Sequence, residues 1–249
     1  MCAAEKLPVS FMIDLRKLHI LTKRSDLAEL PEGKLLINTV NANSYNIALE
    51  DEVFAESLKN CDVVLPDGVS IIFAFKVNRW MPRPCERVTG YDLFEYEMAR
   101  LNERGGKCFF LGSSEDVLAR IRQRAAILHP NIEIETYSPP FKPEFSDEDS
   151  RAMVDAVNRA KPDLLWIGMT APKQEKWAYA HWNELDINCH CGTIGAVFDF
   201  YAGTFKRAPL WCQKYNIEWL YRLVHEPRRM WRRYVLGNLL YIKNVIICR

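Results

Sequence analysis

The side chains able to do chemistry collect in a few short segments. Thr39-Val40-Asn41-Ala42-Asn43 offers a hydroxyl and amides suited to a polyol or a nucleotide. The same types also serve as helix N-caps. Asp67, between Pro66 and Gly68, could act as general base on a hydroxyl nucleophile, or make an Asx-turn. Gly112-Ser113-Ser114 precedes a helix, where free N–H groups can hold a phosphate; the plainer reading is a βα turn. Gly168 to Trp177 (GMTAPKQEKW) is the densest polar cluster. Gly168 permits close backbone approach there, and Lys173 and Gln174 fall in a first helical turn. Lysine opposes the helix dipole at that point, which a nearby anion would rationalise; the alternative is a solvated lysine. Asp199, in an apolar setting, could accept from a base N–H or a sugar hydroxyl, or pair with Lys206 or Arg207. Cys189-His190-Cys191 is spaced more tightly than structural zinc sites, so buried thiols are expected and a metal is not.

Charge is distributed unevenly. Residues 206–249 hold ten bases against Glu218 and Glu226, a net +8, which leaves −7 on residues 1–205 of a chain whose total is +1. The same tail is rich in Trp and Tyr, and basic aromatic helices suit an anionic membrane interface. Arg222, Arg229 and Arg232 stand at i, i+7 and i+10, on one side of a continuous helix, although Pro227 interrupts the run.

These segments must be held by a scaffold. Leu35–Thr39, Asp62–Leu65, Lys107–Leu111, Ile132–Tyr137 and Asp163–Gly168 read as strands. Helices are expected over 46–60, over 91–104 with Gly105-Gly106 as C-cap, from a Ser113/Asp116 capping box to about Leu128, and from a Ser146/Asp149 box to Ala160. Strands alternating with such helices predict an α/β, Rossmann-like, mostly parallel sheet flanked by helices. Ligands bind at the carboxyl ends of strands in such sheets, where the polar segments fall.

With 49% hydrophobic and 26% charged residues, the 249-residue chain is globular rather than disordered or fibrous. No apolar run approaches the ~20 residues that span a bilayer. No secretory leader is evident, and eight cysteines without a close-spaced framework fit a reducing cytoplasm. The absence of G-x-G-x-x-G and of a Walker A loop argues against an NAD enzyme and a P-loop NTPase.

Taken together, TVNAN (39–43), VVLPDGVS (63–70), ERVTGYDLF (86–94), FFLGS (109–113), GMTAPKQEKW (168–177), GAVFDFYAGTFKRAP (195–209) and EWLYRL with EP.R..RRY (218–234) resemble the WecG/TagA/CpsF family of bacterial glycosyltransferases. They occur in family order over about residues 35–240. The resemblance implies an inverting transfer of a hexose-type sugar from a UDP-sugar to a polyprenyl-diphosphate-linked saccharide, in the synthesis of teichoic-acid linkage units, enterobacterial common antigen or exopolysaccharide. It implies no cofactor and no obvious metal requirement. It also implies an α/β catalytic core, residues 1–205, and a C-terminal membrane-associating appendage, residues 206–249, bound peripherally at the cytoplasmic face of the inner membrane. By position, Asp67 becomes the candidate base. Thr39, Asn41 and Gln174 would line the donor and acceptor site, and Arg87 would sit near the reacting groups. Arg222, Arg229 and Arg232 would clamp diphosphate, with Gly112, Gly168, Lys173 and Asp199 as further substrate-binding candidates. Expected partners are the UDP-sugar, the lipid-linked acceptor and the anionic membrane surface, not nucleic acid; a homo-oligomer stays open. Ala42-Asn43 stands where the family usually has Pro-Glu, which points to a different sugar among glucose, N-acetylmannosamine and its uronic acid. A nucleotide-binding oxidoreductase and a non-catalytic membrane or nucleic-acid binding protein are the rival readings.

Overall fold

The computed structural model describes residues 13–209, 211–212, 215 and 217–247, with the backbone alone for residues 229, 233, 234, 246 and 247. The strands are β1 (Leu35–Val40), β2 (Val63–Pro66), β3 (Gly106–Gly112), β4 (Ile132–Tyr137), β5 (Leu164–Gly168) and β6 (His190–Thr193). They form one parallel sheet in the order β2-β1-β6-β5-β3-β4. The central strands are buried on both faces and accordingly read as unbroken apolar runs such as LLWIG in β5. Leu36, Phe109, Leu165 and Ile167 point into one core layer, and Ile37, Phe110, Leu164 and Trp166 into the other, as the period of two requires.

The helices between strands are α1 (Ala42–Ala48), α2 (Glu52–Lys59), α3 (Val69–Asn78), α4 (Gly90–Arg104), α5 (Glu115–Leu128), α6 (Asp147–Ala160) and α7 (Lys173–His181), and α8 (Val197–Ala202) follows β6. The single helix expected over 46–60 is two. Asp51 breaks it by capping α2, its carboxylate accepting from Phe54 N–H at 3.0 Å. The box at Ser146/Asp149 forms in both directions. At α5 the cap is Ser114, one residue later than expected, because Ser113 adopts a left-handed φ of 61° and leaves the helical path.

Beyond α8 the chain forms α9 (Glu218–His225), α10 (Pro227–Trp231) and, after a π-helical turn, α11 (Gly237–Ile242), followed by a second π turn (Lys243–Ile247). This segment folds back over the core. Tyr241 is buried, meets the Tyr45 ring edge-on at 5.2 Å and donates its hydroxyl to Ser70 O. Asn46 Nδ2 donates to Gly237 O at 2.7 Å, and Asn78 Nδ2 to Val245 O at 3.3 Å. Non-helical Glu226 (φ −131°, ψ 57°) separates α9 from α10, which begins at Pro227, so Arg222 does not share a helix with Arg229 and Arg232. The one-sided spacing of the three arginines therefore does not hold.

Candidate active site

The motif segments meet along the carboxyl-terminal edge of the sheet, and glycines report how closely. Cβ atoms built on Gly68 and Gly90 would lie 3.3 Å from Asn41 Cβ and 3.6 Å from Thr39 Cγ2, respectively. Gly195 abuts Met169 and Gln174, so the loops after β5 and β6 touch as well. Gly112, at φ 124°, lies back to back with Gly168 in register, with no room for a side chain on Gly112. A methyl on Gly168 would sit 2.5 Å from the Phe198 ring. Both glycines are thus demanded by packing at the strand ends.

Asp67 leaves β2 with its backbone N–H on Val40 O at 2.9 Å, which fixes its loop against the end of β1. Its carboxylate lies 3.5 Å from the Arg87 guanidinium. The same Arg87 Nη2 donates to Glu218 at 2.6 Å, and Arg207 Nε reaches the other Glu218 oxygen at 3.3 Å. Arg207 in turn stacks over the Tyr91 ring at 4.2 Å. The result is a charge chain, Asp67–Arg87–Glu218–Arg207, that joins the β2 loop to α9. Burial works against the charge on Arg87, but Asp67 and Glu218 outweigh it and raise its pKa. The side chains of Asp67 and Arg87 keep 29% and 21% exposure, so the pair is accessible to a ligand while partly desolvated.

The remaining candidates take other places. Thr39 is half-buried at the end of β1 beside the Asp67 loop. Asn41 caps α1, its Oδ1 accepting from the N–H groups of Asn43 and Ser44. Gln174 is 4% exposed; its Oε1 accepts from Met169 N–H and Gly195 N–H, both at 3.1 Å, and its Nε2 donates to Glu175. It staples two loops from beneath. The Lys173 ammonium turns away to the Lys142 carbonyl and lies over the Phe145 ring, which accounts for a lysine in that first turn. Desolvation lowers its pKa. Asp199 pairs with neither Lys206 nor Arg207 among the described residues; it accepts from Thr204 at 3.2 Å and closes the turn after α8. Arg222 lies over the Phe200 ring at 5.9 Å, Arg232 is exposed, and the Arg229 side chain lies outside the described residues.

Sequence reasoning missed Glu218 and Arg207 as members of this cluster. The available signal was Glu218 itself, an acid retained in a tail of ten bases. At the opposite edge of the sheet, His190 is buried between Glu97 Oε1 and Pro31 O, each at 2.9 Å. Cys189 and Cys191 are buried thiols beside it, and burial pushes Cys189 up to about 12.

The family model for the glycosyl transferase WecG/TagA/CpsF family matches residues 12–249, and the chain belongs to that family. It is 29% identical over 198 residues to the N-acetylglucosaminyldiphosphoundecaprenol N-acetyl-beta-D-mannosaminyltransferase of Bacillus subtilis strain 168, covering 80% of this chain and 74% of the relative. The enzyme of the same name from Staphylococcus aureus strain MW2 is 27% identical over 203 residues, covering 80% and 76%.

Proposed function

We propose that this member of the WecG/TagA/CpsF family transfers a hexose-type sugar from a UDP-sugar to a polyprenyl-diphosphate-linked saccharide, with inversion and with Asp67 as base. One observation carries the reading: the Asp67 carboxylate stands at the mouth of the parallel sheet, accessible and held 3.5 Å from Arg87. An arginine beside a carboxylate favours its ionised, proton-accepting form. In the proposed step Asp67 takes the proton of an acceptor hydroxyl as that oxygen bonds to the anomeric carbon. The bond from that carbon to the diphosphate breaks, and its electron pair leaves with UDP. Negative charge grows on the departing diphosphate, where Arg222 and Arg232, with Arg229, would act. The β designation in the names of the relatives supports a single displacement, because an α-linked donor then gives a β product. Those relatives also favour an N-acetylmannosamine donor and an N-acetylglucosamine-diphosphate acceptor here, while Ala42-Asn43, opening α1 just after β1, is the departure from the family pattern that would bear on another hexose.

Peripheral attachment at the cytoplasmic membrane face, through the basic appendage of residues 206–249, follows from the same reading. No helix among the described residues is long and apolar enough to cross a bilayer. The deciding experiment measures UDP release and product formation from UDP-N-acetylmannosamine and UDP-glucose with a short polyprenyl-diphosphate acceptor analogue. Asp67→Asn should lower turnover by about 10³-fold or more at unchanged thermal stability, the upper part of the range for a positioned base and beyond. Near-normal turnover in that variant would remove Asp67 from the role.

A further inference from the structure

Helix α3 begins two residues after Asp67 and is apolar on both sides. Ile71, Ala74 and Phe75 face the core. On the outside, Val69, Phe73 and Val77 are 43%, 50% and 46% exposed, and Met81 just beyond the helix is 75% exposed. Their i, i+4, i+8 spacing places the three helical residues in a stripe about 80° wide. A helix apolar all round belongs in a core or in a lipid environment, yet this one has protein on one side only. At ten residues it is too short to span a bilayer, so its lipid-facing arrangement is to lie on one.

Two further observations specify the cover. Lys76, Arg79 and Arg83 are all exposed alongside the stripe, and no Asp or Glu occurs from Gly68 to Cys85. The surface is therefore cationic around an apolar line, the complement of an anionic leaflet. The stripe is also continuous with the C-terminal segment: the turn Lys243–Ile247 packs on α3, and Leu236, Leu239, Leu240 and Ile242 in and beside α11 are exposed.

We propose that the outer face of α3 is a docking surface for anionic lipid in addition to the basic appendage, which it adjoins, and that it seats the helix that follows Asp67 at the headgroup level. The docking deepens the proposed function, since it brings the carboxylate to the depth at which a membrane-anchored diphosphate saccharide presents its hydroxyl. A ligand arriving from the bilayer then meets Asp67 without leaving the interface.

The test uses the full chain and sedimentation with vesicles of phosphatidylglycerol and phosphatidylcholine, against phosphatidylcholine alone. The paired substitution Phe73→Glu with Val77→Glu should reduce partition into the anionic vesicles by about tenfold or more, with thermal stability unchanged because both positions are exposed. Lys76→Glu and Arg79→Glu should each cost about fivefold or more, and this loss should shrink in high salt. Transfer to a water-soluble acceptor analogue should stay at the wild-type rate in all these variants. Wild-type partition in the Phe73/Val77 variant, or partition indifferent to phosphatidylglycerol, overturns the proposal. So does a wild-type dimer in sedimentation equilibrium that Phe73→Glu dissociates, which would make the stripe a subunit contact. Loss of vesicle binding in a protein that transfers no sugar to any acceptor would leave the docking surface standing and sink the catalytic reading instead.

Discussion

Glu218→Gln isolates what the appendage does for the site. Glutamine keeps the size of the side chain but removes the charge that faces two guanidinium groups. In the native chain Glu218 accepts from Arg87 at 2.6 Å and from Arg207 at 3.3 Å, with only 14% of its side chain exposed. A charge-assisted hydrogen bond of this kind is worth about 1.5–3 kcal/mol. Removing it should loosen Arg87 by that amount, which corresponds to a fall of about tenfold to a hundredfold in kcat/KM. A tail that merely rested on the core would leave kcat/KM unchanged. The assay is UDP release for wild type, Glu218→Gln, Arg87→Ala and the double variant. Strictly additive losses in the double variant would mean that Glu218 does not act through Arg87, and the argument would fail.

Three more outcomes test the scaffold. Gly168→Ala drives a methyl to 2.5 Å from the Phe198 ring and should destabilise by about 1–3 kcal/mol in urea unfolding. Tyr241→Ala empties a buried site between α1 and α3 and should cost about 3–5 kcal/mol locally, seen as faster proteolysis after residue 217 at a little-changed core transition. His190 is buried, which lowers its pKa, but the Glu97 carboxylate, itself bound by Arg100, and the Pro31 carbonyl reverse this and leave it raised. Its contribution to stability is complete below about pH 6.5 and is lost as pH climbs through the raised value. The urea midpoint should decline over that window, and the decline should vanish in Glu97→Gln.

Much of this architecture is legible in the chain because parallel strands advertise themselves. KCFFL and DLLWIG are apolar without alternation; the first runs into Gly112 and the second ends in Gly168, the pair that packs back to back. The Ser146/Asp149 box is equally local and forms as read. Local signals gave less at Asn46–Asn60, where continuous helix propensity hides Asp51, whose cap splits the run. They also gave less in the tail, where the i, i+7, i+10 arithmetic assumes a helix that Pro227 ends. The site divides the same way. Asp67 and Thr39 fall where strand ends predict ligands, whereas the roles of Gln174 and Lys173 depend on atoms far away in sequence, Gly195 and Lys142. Glu218 reaches Arg87 across 131 positions, a pairing that no window of sequence contains.

The Gln174 staple carries a consequence of its own. By binding Met169 and Gly195 with one oxygen, it obliges two neighbouring loops to shift as a single block. The ends of β5 and β6 then present one rigid plate, so a displacement at Met169 is passed to Gly195, and Gln174→Ala would let the two loops move apart.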